Sequence, residues 1–248
     1  MKTVPFRKIY LFIFLYLIQT PYSFGQNELD SIEHCIQKAR NRKLALNIRK
    51  KNLSKAYLFS QKLSNDSIKA DKLLNIAYGY YIYKDSTLFL KINKEATAIV
   101  NTTNSNYLKG HLHWSYAYYN NRQSLFIKAY QHYDAAYTHF EKIKEKNNMG
   151  IMLQGMTEIK VKYKDYAGSE QLAVKAIKIF KEINNSYKLY VLYNYLGLLQ
   201  RGMKEYDKAI AYYPKLTKEI QQKKYVEVYN NIANAYFEKK AYHKALAF

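Results

Sequence analysis

The chain has 248 residues, 48% hydrophobic and 24% charged, a balance that excludes wholesale disorder and a fibrous protein and leaves room for a sizeable core. Eight Gly, three Pro and one Cys give too little punctuation for a many-stranded β fold and no disulfide framework, so an all-helical chain is expected. The net charge of +21 resembles a nucleic-acid binder's, but only six of the 40 cations are Arg (Arg7, Arg40, Arg42, Arg49, Arg122 and Arg201), and the abundance of Lys, Asn, Ile and Tyr fits AT-biased codon use instead.

Residues 1–25 read as a cleavable signal peptide. Lys2, Arg7 and Lys8 form the positive end, and Ile9 to Ile18 form an apolar core that Gln19, Thr20 and Pro21 end too early for a transmembrane span. Ser23 and Gly25 place small residues at the −3 and −1 positions of a cleavage site before Gln26. The mature chain is therefore expected to be exported to the periplasm. No Cys follows the small residues, so no lipid acceptor is present at that site. Cys35 is expected to be a small buried hydrophobe, and its neighbour His34 diverges from it by about 100° on a helix, too far round for a nucleophile and base pair.

From there the chain repeats. Ala77, Ala117, Thr157 and Gly197 lie 40 residues apart, with Ala233 following after 36, and a large apolar residue precedes each (Ile76, Tyr116, Met156, Leu196, Ile232). A second small column runs Ala129, Ser169, Ala209 and Ala245, each three residues after an aromatic (Phe126, Tyr166, Tyr206, Tyr242). A third is Ala56, Ala96, Ala136 and Ala176. Each unit predicts two helices. In the clearest, Leu189, Leu192, Tyr193, Leu196 and Leu199 form one apolar stripe, and Tyr206, Ala209, Ile210, Tyr213 and Leu216 form another. Gly202 to Glu205 is the expected turn, and polar clusters (Asn101 to Asn106, Lys146 to Asn148, Asn184 to Ser186, Gln221 to Lys224) are expected to stop helices between units. Pro214 should kink its helix, and Phe248 should fall inside the last one, so the natural protein is expected to continue.

The stretch Tyr193-Asn194-Tyr195-Leu196-Gly197, followed by Tyr206-Asp207-Lys208-Ala209-Ile210-Ala211-Tyr212-Tyr213, resembles a tetratricopeptide repeat (TPR), with the motif's aromatic, Leu-Gly, Tyr and Ala in order. Tyr229, Ile232, Ala233, Tyr236, Tyr242 and Ala245 match it again. The resemblance implies a right-handed α-solenoid of stacked antiparallel helix pairs over 26–248, about six pairs, the first two degenerate and the last truncated. It also implies a peptide- or protein-binding groove along the first helix of each pair. Carried over by position, that groove would present Leu74, Tyr78 and Tyr81; Trp114, Tyr118, Asn121 and Arg122; Gln154, Glu158 and Lys162; Asn194, Leu198 and Arg201; and Asn230, Asn234 and Phe237. Aromatics would supply rigid contact area, and Asn can pair with a bound backbone.

No glycine loop for phosphate, His-Glu-x-x-His, Gly-x-Ser-x-Gly or Ser-x-x-Lys motif occurs, so no enzyme and no cofactor are expected. His111 and His113 fall on different helix faces, and His132 and His139 stand about 10.5 Å apart along a helix, so no metal site is expected. The signal and repeats together resemble the periplasmic N-terminal region of bacterial membrane-bound regulators. That resemblance implies an input region joined beyond residue 248 to a membrane segment and an output, with a protein or peptide as partner and no nucleic-acid contact by this region. A free periplasmic scaffold or assembly factor is the alternative; an exported glycan hydrolase would need paired carboxylates, and Glu158 stands alone in the groove set.

Overall fold

The computed structural model describes residues 28–213 and 226–248, so the signal at 1–25, the kink at Pro214, Leu216 and the cluster at 221–224 lie outside the described residues. Among the described residues there are helices and turns and no strand. The helices are α1 (28–40), α2 (Leu46–Ser60), α3 (Asp66–Ile82), α4 (Ser86–Asn101), α5 (Asn106–Arg122), α6 (Phe126–Lys142), α7 (Lys146–Lys162), α8 (Tyr166–Glu182), α9 (Ser186–Gly202), α10 (Tyr206–Tyr212), α11 (Val226–Glu238) and α12 (Tyr242–Ala245). They form two compact units, one up to Ser115 and one from Tyr116 on. Within each unit successive helices pack on one another, an all-α TPR-like solenoid.

One turn chemistry recurs. Lys84, Ser124, Lys144, Lys164, Asn184, Lys204 and Lys240 all have left-handed backbone, with φ between 52° and 65°. At each, two amides reach back into the preceding helix, as when Lys164 N donates to the Val161 carbonyl (2.8 Å) and Asp165 N to the Lys160 carbonyl (2.9 Å). That is the Schellman end of a helix, with a non-glycine residue in the place glycine usually takes. The next residue already caps the following helix: Asp85, Asp165 and Asn185 accept from the amides of Leu88, Gly168 and Lys188. A three-residue connection thus ends one helix and starts the next.

Leu125 occupies the same capping position, makes no side-chain cap bond and is 45% exposed. Leu125→Asp is expected to stabilise the protein by about 1 kcal/mol, seen as a rise of about 2–4 °C in thermal unfolding.

From α2 to α10 the small columns sit where the sequence places them, whereas Ala233 of α11 and Ala245 of α12 are only half-buried. Ala77, Ala117 and Thr157 are fully buried on the first helices of pairs, and Ala56, Ala96, Ala136, Ala176, Ala129, Ser169 and Ala209 on the second. Glycine extends the same logic. A Cβ on Gly197 of α9 would stand 2.4 Å from the buried Tyr213 ring, and one on Gly150 of α7 would stand 2.5 Å from Phe180 of α8. Cys35 is buried, as expected of a small hydrophobe.

Three local expectations are corrected. Lys146 to Asn148 do not stop a helix but open α7, because Lys144 in left-handed backbone has already ended α6. Gly202 is the last residue of α9, leaving Met203 to Glu205 as the turn. Helix α12 closes at Ala245, so Phe248 lies past it and stacks on Tyr236 at 5.8 Å.

Candidate functional site

In the unit up to Ser115, the α3 face carries Leu74, Tyr78 and Tyr81. Leu74 is buried, Tyr78 is exposed, and the two tyrosine rings stack at 5.9 Å. Tyr81 also leans on Phe89 of α4, with ring centroids 6.1 Å apart, so part of its surface serves the helix pair rather than solvent. Trp114 is half-buried, with its ring 5.4 Å from that of His111, which lies 4.4 Å from Tyr107.

Burial pushes His111 below its ordinary pKa, against a smaller opposing pull from Asp71, and burial alone does the same to His113. Both imidazoles take up a proton less readily in the fold than in the unfolded chain, so the stability they contribute is present above the ordinary imidazole range and lost as pH falls through and below it. His111→Phe is expected to flatten the loss of urea stability between pH 7 and pH 5; an unchanged slope would show that other groups carry it.

In the unit from Tyr116 on, first helices of successive pairs meet edge to edge. Between α7 and α9, Lys188 Nζ donates to Gln154 Oε1 (3.5 Å), and Gln154 Nε2 donates to Glu158 Oε1 (3.3 Å). Tyr195 donates to the Thr157 carbonyl (3.4 Å), which also accepts from Ser169 (3.2 Å). Burial raises Glu158 and lowers Lys188, each opposed by the other's charge. Between α9 and α11, Asn231 Nδ2 donates to Asn194 Oδ1 (2.9 Å), and Arg201 Nε lies 3.7 Å from Glu238.

The expected groove residues separate accordingly. Asn194 and Arg201 are half-buried and tied to α11, whereas Leu198, Asn230, Asn234 and Phe237 are exposed. Tyr118 packs edge-on against Tyr133 of α6 at 6.1 Å, Asn121 is half-buried, and Arg122 is exposed. Lys162 reaches over the Phe126 ring at 5.2 Å. Lys188, Asn231 and Glu238 were outside the sequence-level set; they lie nearly a full repeat from their partners, and nothing local in the sequence signals such a pair.

Elsewhere, Tyr212 is pushed up to about 12 by burial and by its bond to Glu170 (2.8 Å). Among the described residues, no group of three His, Cys, Asp or Glu could hold a metal ion, and no helix is long and apolar enough to cross a membrane. His132 stacks on Tyr116 at 5.5 Å.

No protein-family model and no curated protein matches the chain. Solved structures do. Aspartyl phosphate phosphatase F from Bacillus subtilis is 18% identical with a TM-score of 0.71, over 94% of this chain and 72% of its own. The apo form of RapI is 14% identical with a TM-score of 0.73, over 90% of this chain and 62% of its own. A signal-transduction ATPase with numerous domains from Pyrococcus horikoshii, bearing a tetratricopeptide repeat sensor, is 15% identical with a TM-score of 0.71, over 91% of this chain and 36% of its own. At such identities the likeness speaks for the architecture alone, and that architecture is the fold of the tetratricopeptide-type helical repeat proteins.

Proposed function

We propose that the chain is an exported module that binds a peptide or an extended protein segment along the first helices of its pairs. One observation carries the reading. On α11 Asn230 and Asn234, four residues apart, present exposed amides on the face that carries Phe237, and on α9 Leu198 is uncovered between Asn194 and Arg201, which are tied to α11; Leu198 and Phe237 stand 39% and 62% exposed. Amides able to pair with a strand-like backbone, next to uncovered apolar area, suit an extended ligand. The tripartite residues 1–25 support export to the periplasm, and the regulator resemblance supports a role as the input region of a longer membrane-anchored protein.

The test is a peptide array probed with the purified chain, followed by titration of the best binder. Asn234→Ala and Phe237→Ala should each weaken binding about 5-fold or more, the loss typical of an interface anchor. A binder indifferent to both would refute the site. Intact mass of the chain recovered by osmotic shock should begin at Gln26, and retention of residues 1–25 would refute export by this route.

A further inference from the structure

The basic residues are mostly Lys, yet three of the six Arg come together at one place. Arg40 ends α1, Arg42 lies in the following loop and Arg49 is in the first turns of α2, and all three line one cavity of about 210 Å³ between α1, α2 and α3. No Lys and no carboxylate lines it. In a chain whose cations are mostly Lys, three Arg at one cavity point to a need for the planar fork rather than for charge.

The guanidiniums are also prepared. Arg49 Nε donates to the Ala39 carbonyl (3.0 Å), and its guanidinium lies over the Tyr83 ring, 5.1 Å from the centroid. Tyr83 donates its hydroxyl to the same carbonyl. Arg40 Nη2 donates to Asn75 Oδ1 (3.0 Å). Arg40 spends one of its five N–H donors on staying in place, Arg49 is held both by the Ala39 carbonyl and by the Tyr83 hydroxyl, and both keep further donors. None of the three Arg is ion-paired among the described residues. Ile36, Leu53 and the Tyr78 ring supply apolar wall to the same cavity.

We propose that this cavity binds a small phosphate monoester carrying an apolar or aromatic group. Three cations without a carboxylate favour a dianion over a single carboxylate, and three terminal oxygens can engage several forks at once. The cavity is smaller than the roughly 300–1,000 Å³ of drug-sized sites, which suits a phosphate and one ring. The inference deepens the binding reading above and rests on it only for α3 having a recognition face. Its test needs no peptide, so the cavity can fail while binding on α9 and α11 stands, or the reverse.

The experiment is calorimetric titration of the purified chain with phenyl phosphate and, at matched ionic strength, benzoate. Phenyl phosphate should bind at least 10-fold tighter, and more tightly as pH rises from 5 to 7.5 and the ester loses its second proton near pH 6. Arg42 is exposed and its side chain makes no bond among the described residues, so Arg42→Gln should fold normally and lose 10-fold or more; Arg42→Lys should also lose affinity, whereas the exposed Lys128→Gln should not. Equal binding of the two anions, no effect of Arg42→Gln and Arg40→Gln, or binding only to vesicles of phosphatidic acid in phosphatidylcholine with none to phenyl phosphate would each overturn the proposal.

Discussion

Phe180→Ala should lose about 3–5 kcal/mol of stability in urea unfolding, the cost of deleting a fully buried aromatic ring. The ring is fully buried in α8 and closes the seam with α7, where Gly150 leaves room for it. The reverse change makes the same point from the other side. Gly150→Ala gains up to about 1 kcal/mol of helix propensity but drives a methyl into the ring, and overpacking of this kind costs about 1–3 kcal/mol. Phe180→Leu in the Gly150→Ala background should then lose less than the two single changes summed, because the methyl fills part of what the ring vacates. A loss below about 1 kcal/mol for Phe180→Ala would mean that the ring does not hold the seam.

Replacing Lys84, Lys144, Lys164 and Lys204 together by Gly should stabilise the protein by about 2–4 kcal/mol, read as a higher urea midpoint. Each holds left-handed backbone, with φ of 58°, 55°, 59° and 64°, and all four are exposed. A side chain in that region costs roughly 1–2 kcal/mol that glycine does not pay, and glycine's greater freedom in the unfolded chain offsets part of the gain. The sites are in separate turns, so the effects should add. Asn184→Gly should give less, since Asn tolerates this conformation better than Lys. Four substitutions with no change in midpoint would show that the turns are not strained.

Much of the fold was legible because packing imposes the spacing. A helix crossing admits only small residues, so Ala56, Ala96, Ala136 and Ala176 stand in a column whatever the rest of the chain does, and all four are fully buried. The turns were harder to read. Reading for Gly and Pro misses a helix stop built on Lys144, and the cluster Lys146 to Asn148 looked like the boundary although it lies just inside the next helix. The candidate site was legible only as a face. Position on a helix identifies Asn194 and Arg201 as outward-facing, but not that Asn231 and Glu238 reach across from α11 to hold them, because those partners are 37 residues away in both cases. The cavity had a local signal, Arg40, Arg42 and Arg49 within ten residues of a Lys-rich chain, whose meaning depends on α3 closing over it.

The repeated turn also bears on how such a chain can change length over generations. Lys164 and Lys204 hold the same backbone state, one after α7 and the other after α9, so the block 165–204 begins and ends at interchangeable joints. Unequal recombination that drops or doubles such a block of forty codons rejoins two helices through a connection the chain already uses. A block of half that size would exchange the roles of first and second helix in every pair downstream and set the small columns against the wrong neighbours. Growth in whole pairs is therefore the only step that leaves the rest of the sequence correct as written.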